Sequence, residues 1–430
     1  MLIYAVPKLT IINFRLVTNQ SCGKYLLNSM IQHDQVTSYP LDSLVHFGKM
    51  LMDLEKREPG KRRVAWKSDI AEAYWIIPMH PRWQIQQVNT VDSERHIDHC
   101  NTFGGCASGT LFIAFDSLVA WIEKWKKGAQ YLGNYVDDSW GCGLEEDYTF
   151  YAPYQKVYPR DQTTLLLLWD ELGIPHQEPK QIHGPQIPII ETNVDVNELT
   201  FALTADAKDK LIDELLWWCK PGRKEKLRWW YQVVGWVNWA LNVYPCLRPA
   251  LNHFYPKLKG RHDSMLLLWV NNHIHDDFSW AVRILRQSAG VHLLRSISWD
   301  TTNATWMIYC NACPDGMGFW YPDLNIRFYS PTPSCEQPDL IFYFKALCVL
   351  SALFDAHWRT ATGRNSRFLI YTDNSNTVDI FNTFRTLPPY NHLLRAAVDI
   401  LNWGEHDLRV LHIPGTENAV ADALSRAEFS

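Results

Sequence analysis

Apolar and polar positions along the chain fall into three textures. From residue 1 to about 195, short apolar runs alternate with charged or glycine-containing turns and with helical stretches, as in a mixed α/β region. Val64-Ala65-Trp66-Lys67-Ser68 and Tyr131 to Val136 predict strands there. From about 204 to 290 the period turns helical. Thr204 opens a helix, with Ala, Asp and Lys following, and Pro221-Gly222 breaks it after Trp217-Trp218. From about 300 onward, strand-like runs return at Trp306 to Cys310, Phe368 to Tyr371 and Arg409 to Ile413, with helical segments between them. The proline-bearing stretch 321–338 reads as a loop or an edge hairpin. Tryptophans at 217, 218, 229, 230, 236 and 239 recur at roughly helical spacing and read as the core of a helical bundle.

Composition narrows the picture. At 430 residues, 47% apolar and 20% charged, the chain has material for several cored domains and is not a disordered tail. A net charge of -5 excludes a globally basic nucleic-acid binder, so any such binding uses local basic patches. Those patches exist, interleaved with aromatics, at Lys56-Arg57, Lys61-Arg62-Arg63, Lys124 to Lys127 and Lys220 to Arg228. No apolar run approaches the ~20 residues of a membrane span, and the start lacks a secretory signal. The ten cysteines are scattered, as in a reducing compartment. These features predict an intracellular protein, cytoplasmic or nuclear, with no membrane partner.

The sharpest chemistry is Tyr135-Val136-Asp137-Asp138, two adjacent carboxylates after an apolar strand, which repel each other unless a cation holds them. Asp69 also follows a strand-like run. Carboxylates at neighbouring strand ends suit two Mg²⁺ ions that activate a 3′-hydroxyl and stabilise a pyrophosphate leaving group. Here the sequence resembles the reverse transcriptases of retroelements. Asp69-x-x-x-Ala73-Tyr74 looks like the first palm motif and Tyr135-Val-Asp-Asp the central one. Phe103-Gly104-x-x-x-Ser108-x-x-x-Phe112 is similar to the motif between them, with Gly109 where a proline is usual. Val6-Pro7-Lys8 and Phe14-Arg15-Leu16-Val17-Thr18-Asn19 look like fingers strands, with Asn19 where Asp is usual, and Gly173 to Lys180 is similar to the stretch carrying a lysine after the catalytic turn. Phrases such as Met79-His-Pro-Arg-Trp-Gln are closest in flavour to fungal elements that encode a tyrosine recombinase.

The resemblance implies roles. Asp69, Asp137 and Asp138 would hold two Mg²⁺ ions (or Mn²⁺), and Tyr74 would stack under the sugar and reject a 2′-hydroxyl. Arg15 and Lys8 would meet the triphosphate, Phe103 and Gly104 would shape the nucleotide pocket, and Lys180 would protonate pyrophosphate.

The C-terminal third resembles a ribonuclease H-like domain, through Tyr309-Cys-Asn311, Tyr371-Thr-Asp373-Asn-Ser and His412-Ile-Pro-Gly-Thr-Glu-Asn418-Ala-Val-Ala-Asp422. The family's four carboxylates are reduced to Asp373 and Asp422. Asn311 stands in place of Asp, and Lys345 in place of a helical glutamate. Relative to the family the site loses two negative charges and gains a positive one, so the reading is a folded but hydrolytically dead domain, with Lys345 in the metal space.

The expected fold class is multidomain α/β (α+β): right-hand polymerase fingers and palm over 1–200, a helical thumb or connection over 201–295, and an RNase H-like domain over 296–430. The implied function is RNA-directed DNA synthesis, with an RNA template, a DNA primer duplex and dNTPs as partners and other retroelement domains or proteins as further ones. A decayed or domesticated element that binds nucleic acid without catalysis is the competing reading, supported by Asn19, Gly109, Glu191-Thr192, Asn311 and Lys345; a DNA-templated polymerase is the third. The abrupt start on the fingers pattern suggests residues preceding this chain. Cys310/Cys313 and the His96, His99, Cys100, Cys106 group have metal-like spacing, which their places in a strand and a hairpin explain better.

Overall fold

The structure, a computed structural model, describes residues 2–7, 14–21, 26–32, 34, 36, 39–288, 291–293, 299–333, 341–360 and 365–429, with backbone alone at 2–7, 14–16 and 291–293. It forms two compact units, Met1–Thr200 and Phe201–Ser430.

In the first unit, β1 (Leu2–Pro7) and β2 (Phe14–Asn19) make an antiparallel ladder. Helix α1 (Leu44–Arg57) starts at Ser43, whose backbone N–H is answered by His46, and buries Leu44, Phe47, Leu51 and Leu54, one stripe at helical spacing. The central sheet has β3 (Arg63–Asp69) and β5 (Asp138–Leu144) inside, with β4 (Leu132–Tyr135) and β6 (Ile182–Gly184) at its edges. Helix α2 (Ser108–Ile122) turns Phe112, Asp116 and Val119 inward. Helix α3 (Arg160–Leu172) buries Leu165, Leu166, Leu168 and Trp169, then stops at Gly173, whose φ of 70° only glycine takes cheaply. Trp66 and Trp140 lie fully buried on the sheet. Gly133 and Gly141 make room for them: a Cβ at Gly133 would stand 2.2 Å from the Trp140 ring, and one at Gly141 2.6 Å from that of Trp66.

In the second unit, Thr204 caps α4 (Ala205–Trp218) by accepting from the Ala207 N–H, and α5 (Leu227–Ala240) and α6 (Asn272–Gln287) follow. Trp218, Trp230, Phe254 and Phe278 form their aromatic core, with neighbouring centroids 4.7 to 5.9 Å apart. The tryptophan ladder is not uniformly core. Trp229 and Trp236 are exposed, because the apolar face of α5 runs through Leu227, Trp230, Val233, Val234 and Val237.

The C-terminal sheet has β7 (Trp306–Ala312) in the middle. It pairs antiparallel with β8 (Gly316–Tyr321) and parallel with β10 (Arg367–Thr372). The outer strands are β9 (Ile326–Pro331) and β11 (Asp407–His412). The proline-bearing stretch thus forms the edge hairpin β8–β9; residues 334–338 lie outside the described part. Helix α7 (Ile341–Arg359) buries Phe344, Ala346, Val349, Ala352 and Leu353 with the sheet's core residues. At 19 residues it is the one described helix long and apolar enough to cross a membrane by length and composition, a run the sequence reading did not single out. Helices α8 (Ser375–Thr383), α9 (Asn391–Gly404) and α10 (Ala419–Ser425) complete the unit. Fully buried Asp277 on α6 joins helices and sheet layer, meeting His253 at 2.7 Å, Arg395 on α9 at 3.1 Å and Asn391 at 3.0 Å.

Candidate active site

The β4–β5 hairpin places the carboxylate pair. Tyr135 pairs with Asp138, so Val136 and Asp137 make the turn between them. Val136 sits at φ 58°, a sign that suits a tight hairpin but is costly for a β-branched residue. The adjoining ladder sets Asp138 opposite Asp69 at the end of β3, and the Ile70 N–H donates to the Asp137 carbonyl at 3.2 Å. Three carboxylates therefore gather at one end of the sheet, an arrangement that repels itself. Burial pushes the Asp137 carboxyl above its usual range, with the Asp69 charge adding to the effect. Burial does the same to Asp138, opposed by Lys67.

Two lysines offset that repulsion. Lys67 precedes Asp69 by two residues, hence shares its face of β3, and its Nζ lies 2.7 Å from Asp138 Oδ2. Lys180 Nζ lies 2.6 Å from Asp69 Oδ1. Asp137 has no ion pair among the described residues. As placed, no three His, Cys, Asp or Glu side chains of the described part stand ready to hold a metal ion. The donor chemistry nevertheless fits a hard divalent cation: Asp69 and Asp138 face each other across the ladder beside Asp137, and two of these carboxyls are raised by burial that such an ion would compensate.

The β4–β5 hairpin is braced along β4, the edge strand. The Asp42 N–H donates to the Asn134 carbonyl at 3.2 Å, and the Asn134 N–H donates to Asp42 Oδ2 at 3.0 Å. The Asn134 amide donates to Asp116 Oδ2 from the next helix. Asp116 is buried, and its carboxyl is pushed up to about 7 by that burial.

Tyr74 lies in a short turn after Asp69, its ring 4.8 Å from that of Phe103 and 5.5 Å from that of Phe112. Gly109, in the proline's place, faces the Tyr74 hydroxyl: a Cβ there would meet it at 3.6 Å, ordinary contact. Gly104 tolerates no side chain, since a Cβ would stand 1.7 Å from the Thr18 carbonyl oxygen. Asn19 accepts from the Ser21 N–H at 3.0 Å, a local turn that an Asp would make equally well. Arg15 lies in β2 opposite Val6, with its side chain outside the described part, and Lys8 falls outside the described residues.

The second predicted cluster also comes together. Lys345 Nζ lies 2.5 Å from Asp373 Oδ1 and donates to Asn311 Oδ1 at 2.8 Å. The Asn311 amide donates to Asp422 Oδ1 at 2.9 Å, and Arg426 holds Asp422 through Nε at 3.1 Å. Two carboxylates, two cations and one amide form a chain of contacts with no net charge. Elsewhere, the Cys313 thiol donates to the Ser425 carbonyl and His99 bonds Gln84. The sequence reading missed Lys67, Asp116, Asn134 and Arg426. A signal existed for Lys67, two residues from Asp69 in a strand, and for Arg426, one helical turn from Asp422; Asp116 and Asn134 carried none.

No protein-family model and no curated protein matches the chain. Among solved structures, a foamy viral protease–reverse transcriptase in complex with double-stranded DNA superposes with a TM-score of 0.50 at 15% identity, over 96% of this chain and 77% of that one. The dRH form of that viral protein, also in complex with double-stranded DNA, gives 0.51 at 14% identity over 96% of this chain. This chain spans 64% of the length of the dRH protein. The fold is that of a reverse transcriptase.

Proposed function

We propose that the chain is an RNA-directed DNA polymerase of a retrotransposon, whose RNase H-like region has lost hydrolysis. The observation that carries the reading is the meeting of Asp69, Asp137 and Asp138 at one sheet end, across a strained hairpin. Those three residues would hold Mg²⁺, which when bound supplies charge for nucleotidyl transfer. The chain's own residues do the rest. Tyr74, propped by Phe103 and Phe112, sets the floor under the incoming sugar. Lys180 is 2.6 Å from Asp69, within reach of a leaving group at that carboxylate. The viral proteins that share the fold carry double-stranded DNA in their complexes, which supports a nucleic-acid duplex as partner.

The test is primer extension by purified protein with Mg²⁺ on RNA and on DNA templates. Extension on RNA, abolished by Asp137→Asn, is expected; no extension with retained duplex binding would favour a decayed element that binds without catalysis. That second reading rests on the circuit around Lys345, where an ammonium stands among carboxylates that hydrolysis would need for metal. Cleavage of a labelled RNA–DNA hybrid by the unmodified chain, lost in Asp422→Asn, would refute the loss of hydrolysis.

A further inference from the structure

A cavity of about 270 Å³ opens beside the braced edge of β4, walled by Asp42, Asp116, Trp121, Lys124, Trp125 and Asn134. Its polar walls are unbalanced. Asp116 is 3% exposed, yet its Oδ1 has no hydrogen-bond partner. Asn134 Oδ1 likewise has none, and Asp42 adds a second carboxylate. Buried acceptors without donors are costly, and a ligand rich in N–H groups would offset that cost. At the rim stand two exposed indoles, Trp121 at 47% and Trp125 at 74%, with Leu118 exposed one turn back on the same helix.

We propose that this cavity receives the guanidinium of an arginine carried by a partner polypeptide. The charge is complementary: the Asp42 carboxylate and the Asp116 carboxyl, which a neighbouring cation would hold ionised, line the cavity beside the Asn134 amide, and a guanidinium has five N–H donors and no acceptor. The flat cation also stacks on indole faces, a contact the Trp121 and Trp125 rim offers. The volume is below the ~300–1,000 Å³ of sites for drug-sized ligands, so it suits a side-chain end and not a nucleotide. The apolar collar of Leu118, Trp121 and Trp125 gives the chain bearing that arginine a surface to cover. Two resident cations compete: Lys124 lines the cavity, with no ion pair to it among the described residues, and the Lys126 ammonium stands 5.6 Å from the centroid of the Trp121 ring. Nothing in this assignment depends on polymerase activity.

The experiment uses the full chain with ¹⁵N-labelled tryptophan, following the indole signals of Trp121 and Trp125. The probes are the blocked peptide acetyl-Ala-Leu-Arg-Leu-Ala-amide, its citrulline counterpart and ethylguanidinium chloride. Saturable shifts of those two signals by the arginine peptide, at least about ten-fold tighter than by the isosteric but neutral citrulline peptide, are expected from loss of a charge-assisted pair. Asp116→Asn should abolish the preference while leaving the other indole signals in place, and Asp42→Asn, which keeps the buried acid, should weaken it. Lys124→Gln should tighten the arginine peptide several-fold by removing a like charge. Equal binding of both peptides, or an arginine preference that survives in Asp116→Asn, overturns the proposal. Ethylguanidinium binding as tightly as the peptide would mark a free small cation as the ligand and overturn the polypeptide part. Concentration-dependent shifts of the same signals without any probe would assign the face to a second copy of this chain and overturn it likewise.

Discussion

Replacing Lys345 by glutamate should destabilise the C-terminal region until a divalent ion is supplied. In the native circuit Lys345 and Arg426 balance Asp373 and Asp422, with Asn311 bridging them. Lys345→Glu turns that balance from zero to -2. The lysine side chain is 13% exposed and that of Asp373 23%, so the pair is largely withdrawn from water. Breaking a buried pair by removing one partner costs about 3–5 kcal/mol. Bringing a third carboxylate to ~4 Å adds about 4 kcal/mol at an effective dielectric near 20. Protonation limits the sum: lifting a glutamate from its ordinary range to neutrality costs about 4 kcal/mol at pH 7. A loss of about 4 kcal/mol is therefore expected in urea unfolding. With ~10 mM Mg²⁺ at an affinity near 0.1 mM, about 2.7 kcal/mol should return. The quantity read is the difference between variant and wild type at matched ionic strength, so ions bound elsewhere cancel. A loss below about 1 kcal/mol, or the same Mg²⁺ response in both proteins, would show that Lys345 is not the internal counter-ion of this site.

Three stability predictions and one of selectivity follow from other sites. His406 accepts from the Ser366 N–H through Nδ1, so its Nε2 carries the proton toward His357, and burial beside that second ring holds its pKa down to about 4. The neutral form is favoured in the fold, so stability is full above about pH 6.5 and falls by about 3 kcal/mol as pH drops toward 4; urea midpoints that stay flat over that window would contradict it. Glu123 is buried with both oxygens unpartnered and its carboxyl pushed up to about 8, so its penalty is absent below about pH 4.5 and grows as pH rises to 8. Glu123→Met should gain about 3 kcal/mol at pH 7 and little at pH 4, read by thermal unfolding. Ile190 and Glu191 both have positive φ, 47° and 57°, in the two-residue turn between Ile189 and Thr192. Replacing them by Asn-Gly, which suits that geometry, should stabilise by about 1–2 kcal/mol, and a lower melting temperature would refute the strain. Finally, Tyr74→Ala should raise ribonucleotide incorporation relative to deoxyribonucleotide in primer extension; unchanged selectivity in an active variant would retire the sugar gate.

Much of the architecture was legible because its signals are local. Strand runs at 64–68, 306–310 and 368–371 lie within observed strands, and Thr204 does cap its helix. The departures at Asn311 and Lys345 were visible as charge changes at motif positions. What was not legible depends on pairing distant segments. The brace on Asn134 joins residues from a loop, a helix and a strand, none marked by a motif. The tryptophans misled because helical spacing alone does not say which stripe faces inward; Leu227, Val233 and Val237 decide that Trp230 is core and Trp229 is not.

Lys67 and Lys180 have a consequence for how the three-carboxylate cluster comes into being. Asp69 and Asp138 are far apart in the chain and meet only when β3 and β5 register. Without internal cations, that pairing would set like charges against each other unless a proton or an ion from solution relieved them. With both lysines in place, the three carboxylates carry a residual charge of only -1. This end of the sheet therefore carries its own counter-charges, and a chelator should leave it assembled. An ion binding there would have to displace an ammonium already in contact with the carboxylates, so its arrival would be an exchange of counter-charges within a finished fold.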